Sequence, residues 1–131
     1  MEQQTAPALN LARQYVHRGQ DGMTLALDVT ATLFSEILAN AALRSGTLVG
    51  IIHLEEGLSH WECHPAGDEI LYLLSGAIDM TIDGEDGTET LALTPDQAVV
   101  IPRNSWHQAM IHEPSRVLFV TPIADSKVGR T

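Results

Sequence analysis

The sequence has one cysteine, Cys63, in 131 residues. That excludes an intrachain disulfide, so the fold must rest on a hydrophobic core. Bases are scarce too: seven Lys and Arg stand against 17 Asp and Glu, a formal net charge of -10. Such a surface argues against nucleic acid, whose phosphates call for a basic footprint. It argues equally against an anionic membrane surface. No hydrophobic run approaches the length of a membrane span. The opening residues, MEQQTAPALN, lack the basic and apolar regions of a signal peptide. The expectation from these absences is a cytoplasmic protein with no membrane partner.

What is present is 44% hydrophobic content, ordinary for a globular chain, in a length that suits a single domain over residues 1–131. Residues 1–8 read as a loose tail. Residues 9–17 fit a helix or a strand equally. Residues 23–32 alternate Met23, Leu25, Leu27 and Val29 with smaller or polar residues, which predicts a strand. Phe34, Ile37, Leu38 and Ala41 stand at helical spacing, predicting one short helix that ends near Ser45 and Gly46. From Thr47 on, short apolar or alternating runs separated by turn residues predict strands at 47–54, 60–64, 69–74, 77–82, 88–93, 98–101, 106–112 and 116–121. A break is expected at Ser75-Gly76 and a polar tail at 122–131. Many short strands with regular turns indicate an all-β barrel or sandwich. Residues 1–46 form an N-terminal extension carrying the helix. The acidic run DGEDG at 83–87 reads as a hairpin loop, because it lacks the twelve-residue spacing of an EF-hand.

The densest set of metal-ligating side chains is SHWECHPAGDE, with His60, Glu62, His64 and Glu69. In an extended chain His60, Glu62 and His64 leave from one face, and Trp61 and Cys63 from the other. Pro65, Gly67 and Asp68 form a turn, after which Glu69 opens a second strand. Glu69 heads an apolar run, where a carboxylate is costly unless paired or metal-bound. Trp61, Trp106 and Cys63 read as packing residues, Arg103 and His17 as surface, and His53 and His112 have no assigned role. The second face of strand 69–74, Ile70, Tyr72 and Leu74, is either core or the contact face of a homodimer.

These residues resemble the cupin superfamily. Its first motif is G(X)5HXH(X)3–4E(X)6G, and His64, Glu69 and Gly76 fall in register with the second His, the Glu and the closing Gly. Its second is G(X)5PXG(X)2H, and Pro102 and His107 match the Pro and His in DQAVVIPRNSWH. The sequence departs from the pattern in places. Glu62 replaces the first His, and Asp96 and Asn104 replace two glycines. Asn tolerates positive φ; Asp96 weakens the turn match.

The resemblance covers about residues 47–121. It implies a double-stranded β-helix, a jelly-roll-like barrel whose mouth holds a divalent ion. It implies Glu62, His64, Glu69 and His107 as ligands, with His60 as substitute for Glu62 or as its support. Imidazole and carboxylate donors suit Fe, Mn, Zn or Ni. The function implied is metal-dependent action on a small organic molecule, with dioxygenase and isomerase chemistry leading. The alternatives are a non-catalytic sensory or binding module and a metal-free acid–base cupin.

Overall fold

The computed structural model describes residues 8–130. In chain order these form β1 (Gln14–Arg18), β2 (Thr24–Asp28), α1 (Leu33–Ala39), β3 (Thr47–Leu54), β4 (Gly57–Leu58), β5 (Glu62–Cys63), β6 (Glu69–Gly84), β7 (Gly87–Leu93), β8 (Ala98–Ile101), β9 (Trp106–Pro122) and β10 (Lys127–Val128). The all-β expectation with one short helix holds. All the pairings are antiparallel. The hydrogen-bonded ladder does not close on itself. It runs β10-β5-β9-β3-β1-β2, with β6 joining β9 to β7 and β8.

Two long strands build the frame. β6 and β9 pair from Ile70↔Val120 to Asp83↔Trp106, with register shifts between Leu73 and Ile78. The predicted break at Ser75-Gly76 is therefore a bend within one strand, and the predicted strands 106–112 and 116–121 are likewise one. The geometry requires this. Fully extended, the 13 steps from Glu69 to Ile82 would span about 43 Å. Yet His107, which faces Ile82 across the ladder, lies 3.0 Å from Glu69. β6 must fold back at its midpoint, bringing both ends to one mouth.

Gly76 makes that corner. Its φ is 103°, and a Cβ there would lie 2.7 Å from the Cα of Ser115. Ser115, itself buried, accepts a hydrogen bond from the Ala77 amide and donates one to the Glu113 carbonyl.

Alternation along the strands sends Leu73, Ile78, Met80, Val99, Ile101, Ala109, Ile111 and Val117 into one apolar cluster. Each fully buried aliphatic side chain of this kind contributes roughly 1.5–3 kcal/mol. A second cluster joins the extension to the barrel: Tyr15, Leu33, Ile37, Leu43 and Leu48 pack with Phe119. Tyr15 meets Phe119 edge-on at 5.0 Å.

Residues 9–17 resolve as a turn followed by β1. The helix buries Leu33 and Ile37, while Phe34 and Leu38 of the expected face are exposed. It ends at Ala39, six residues earlier than expected, because the following turns carry Leu43 inward. His17 was expected at the surface; it is 4% exposed, its Nε2 2.7 Å from the Ser45 carbonyl oxygen. The predicted loose tail, save residue 8, lies outside the described residues, as does Thr131.

Residues of opposite parity face outward. Val100, Ile70, Val120, Val49 and Val16 form a row across β8, β6, β9, β3 and β1. Ile70 and Val100 are exposed and the other three half-buried.

Candidate functional site

The mouth gathers residues from four places in the chain. Glu62 of β5 is the direct cross-strand partner of His107 on β9, which puts the two side chains side by side. His64 lies two residues beyond Glu62. Only residues 62–63 of the predicted strand 60–64 are in strand pairing. The turn at 65–68 then returns the chain so that Glu69 enters β6 beneath both histidines.

The two turns that carry the motifs are stitched together by backbone. The Arg103 amide donates to Asp68 Oδ1 at 2.8 Å, and the Asn104 amide donates to the His64 carbonyl at 3.2 Å. Asn104 has φ 64° and Asp96 has φ 73°. At both positions, where the second motif has glycine, the backbone is left-handed. Asn and Asp enter this region at lower cost than other non-glycine residues. We expect Asn104→Gly to leave thermal stability unchanged or raised. Asn104→Ala should cost about 1 kcal/mol, read as a shift in urea midpoint.

His64, Glu69 and His107 are 7%, 4% and 4% exposed. His107 Nε2 lies 3.0 Å from Glu69 Oε1 and 3.7 Å from Glu62 Oε2; His64 Nε2 lies 3.3 Å from Glu69 Oε2. Donor atoms of Glu62, His64 and His107 lie within 4.8 Å of one another. The two imidazoles are 5.5 Å apart between centroids. Ligands bonded at about 2.1 Å to one ion are separated by about 3.0 Å at right angles and about 3.4 Å at tetrahedral angles. Glu62, His64 and His107 could hold such an ion, with Glu69 against the two histidines.

Ser126 favours one tautomer. Its Oγ lies 2.8 Å from His64 Nδ1 and 3.1 Å from the Pro122 carbonyl oxygen, so the hydroxyl can donate to the carbonyl while accepting from Nδ1. In that arrangement His64 carries a proton on Nδ1. In the neutral ring Nε2 presents a lone pair to Glu69 Oε2, which already accepts from Thr121 Oγ1. His64 Nε2 and Glu69 Oε1 are buried without a hydrogen-bond partner, as is His107 Nδ1. Facing lone pairs in a buried site call for a proton or a cation between them; with the ring protonated, Nε2 donates to Glu69.

Electrostatics respond accordingly. Burial acts most strongly on Glu69 and would raise its pKa, but hydrogen bonds from His107 and His64, then their charges, hold it at about 2 against an ordinary 4.5. Burial likewise pushes the His64 pKa down, and hydrogen bonding to Glu69 with the charges of Glu69 and Glu62 carries it above 6.5. Glu62 is raised, by burial first and then by the charge of Glu69.

In the metal-free protein the depressed Glu69 contributes stability that is full above pH 4.5 and lost as pH falls toward 2. The drop corresponds to on the order of 3 kcal/mol. The raised His64 contributes stability that is full below pH 6.5 and lost as pH rises through its folded pKa. Urea midpoints of chelator-treated protein should therefore peak between these limits. Glu69→Gln should flatten the acid side; an unchanged acid limb would refute the assignment.

His60 is exposed and outside this cluster of donor atoms. Cys63 is buried and free. The Arg103 side chain is exposed. His112 pairs with Asp79 at 2.9 Å, away from the mouth. Sequence reasoning missed Thr121 and Ser126, whose hydroxyls carry no spacing signal, and it missed residues 123–130 altogether as structure.

The Cupin domain family model matches residues 50–121. No curated protein matches the chain. Among solved structures it is similar to KdgF from Halomonas sp., with 26% identity and a TM-score of 0.51 over 63% of this chain and 74% of that one. An uncharacterized double-stranded β-helix protein from Klebsiella pneumoniae aligns at 16% identity and TM-score 0.55, covering 67% and 77%. A mutant of Bacillus subtilis oxalate decarboxylase aligns at 19% identity and TM-score 0.57, covering 69% of this chain but 26% of its own. With two motif halves meeting at one mouth and a family match across more than half its length, the chain belongs to the cupins.

Proposed function

We propose that Glu62, His64, Glu69 and His107 hold a divalent metal ion at the barrel mouth, and that the protein acts there on a small organic molecule. The observation that carries this reading is the convergence of Glu62, His64 and His107 donor atoms within 4.8 Å of one another, with the buried Glu69 carboxylate 3.0 Å from His107 Nε2 and 3.3 Å from His64 Nε2. Removing such groups from water costs several kcal/mol unless a cation or proton compensates.

Bound there, the ion supplies a Lewis acid and open positions for substrate oxygens. The chain supplies the rest. His64 and His107 are fixed from opposite sides of Glu69. The Glu62 side chain is 45% exposed, so it borders the solvent side where a substrate would enter. Dioxygenase or isomerase chemistry on a chelating substrate such as an enediol fits this layout.

The test is elemental analysis of protein purified without added metal, followed by oxygen uptake on a panel of phenols and diketones. Stoichiometric iron with turnover supports oxygenation. Bound metal with no turnover points to the binding module. Protein that neither carries nor takes up a divalent ion refutes the reading.

We further propose a homodimer through the outward apolar row of Val100, Ile70, Val120, Val49 and Val16, an apolar sheet face of the kind that proteins cover. Light scattering should give twice the chain mass for the parent and one chain mass for Ile70→Lys. A monomeric parent would dismiss the dimer.

A further inference from the structure

β5 carries Glu62 and leads to His64, yet it is two residues long. Its pairing with β9 is the single register position Glu62↔His107. Its other edge is held by β10, with Lys127↔Cys63 and Val128↔Glu62. One edge of this arm of the site is therefore held by residues 123–130, which lie far from it in sequence.

That segment is anchored at both ends. The Ile123 amide donates to the Gly46 carbonyl at 3.0 Å, and its side chain packs against the second apolar cluster. Asp125 turns the chain with φ 60°. At the far end the Gly129 amide donates to the Trp61 carbonyl at 2.8 Å. The Arg130 guanidinium lies 5.0 Å from the Trp61 ring and 5.8 Å from the Trp106 ring, and pairs with Asp83. Arginine suits this position because its planar cation stacks on indole while its fork bonds a carboxylate. Between the anchors, Ser126 Oγ lies within hydrogen-bond distance of His64 Nδ1, 2.8 Å away, and of the Pro122 carbonyl oxygen.

We infer that residues 123–130 form a strap that positions the metal ligands, with Ser126 setting the His64 tautomer and Arg130 locking the strap to Trp61, Trp106 and Asp83. The inference rests on the metal reading above. Strap docking and metal binding then stabilise each other, and by linkage each shifts the other by the same factor. Partners that orient ligating histidines typically change metal affinity ten- to hundredfold.

The experiment is calorimetric titration of the full chain with Mn(II), together with trypsin cleavage after Lys127 timed by mass spectrometry with and without Mn(II). We expect Ser126→Ala to weaken Mn(II) binding about ten- to hundredfold and Ser126→Thr to recover most of it. Nitrogen-15 spectra of chelator-treated protein at a pH where the ring is neutral should show His64 protonated on Nδ1 in the parent. A mixture of tautomers is expected in Ser126→Ala. Arg130→Gln should weaken binding several-fold and speed cleavage after Lys127. Mn(II) should slow that cleavage in the parent. Should Ser126→Ala fail to fold, Arg130→Gln and the protection by Mn(II) decide the matter. Variants that bind Mn(II) as the parent does, or cleavage indifferent to Mn(II), would overturn the strap while leaving the metal reading intact. A parent protein that binds no divalent ion would overturn both.

Discussion

Gly76→Ala should destabilise the protein by about 2–6 kcal/mol, enough to remove much of the 5–15 kcal/mol typical of a domain. Two costs add. A side chain at φ 103° is strained by roughly 1–3 kcal/mol. The new methyl would also lie 2.6 Å from Ser115 Cβ and 2.7 Å from its Cα, and overpacking of this kind costs a further 1–3 kcal/mol. Moving Ser115 to relieve it disturbs the hydrogen bonds that satisfy the Ala77 amide and the Glu113 carbonyl. Gly87 separates the two costs, because its φ is 109° and nothing lies within 4 Å of a Cβ built there. Gly87→Ala should carry the dihedral cost alone. Urea denaturation of both variants is the measurement. Equal losses would mean that Ser115 gives way freely and that the corner does not depend on close approach. A larger loss at Gly76 would tie the fold-back, and with it the meeting of Glu69 and His107, to one missing side chain.

That corner also explains which parts of the architecture were legible in the sequence. Ser75-Gly76 carries a turn signature, and locally it reads as the end of a strand. Only the register between β6 and β9 reveals that pairing continues through it. Period-two alternation identified the strand at 77–82, whose Ile78 and Met80 are buried, because that signal runs along one strand. The helix was misread in its face, since Phe34 and Leu38 satisfy helical spacing as well as Leu33 and Ile37 do. Which stripe is buried depends on where β1 and β3 present Tyr15 and Leu48.

For the site, the types of Glu62, His64, Glu69 and His107 and their order in two motifs were enough to nominate them together. Their convergence depends on backbone contacts, such as Asn104 with His64, that no spacing rule contains. His17 shows the converse. A histidine near a turn cluster reads as surface, and the Ser45 carbonyl that lets it be buried lies 28 residues away. The strap was illegible because a polar, glycine-containing stretch is what a tail looks like. Its order comes from a strand edge, two indoles and one carboxylate elsewhere in the chain.

His107→Ala should weaken divalent-ion binding by more than about 100-fold, beyond the range expected for residues that only support a ligand. His107 Nε2 is nearest of all donors to Glu69 Oε1, and it also faces Glu62 across the strand pair. Its removal takes away one donor and unfastens another. In the parent, an ion at 100 times its dissociation constant should add about 2.7 kcal/mol to stability. A thermal-unfolding series with Mn(II) or Zn(II) reads this as a rise in midpoint, and the rise should vanish in His107→Ala. Glu62→Gln should lose less, because that side chain is 45% exposed and water can take its place. Acid should weaken binding in the parent. His64 must surrender its Nε2 proton to accept an ion, and the neighbouring carboxylates hold its pKa above 6.5. Affinity should therefore rise from pH 6 to pH 8, and the rise should be shallower in Glu69→Gln, where the strongest stabiliser of that proton is gone. A parent whose midpoint ignores divalent ions at every pH, or a His107→Ala variant that still responds fully, would remove the metal from this mouth. The four side chains would then be a buried acid–base network held together by protons alone.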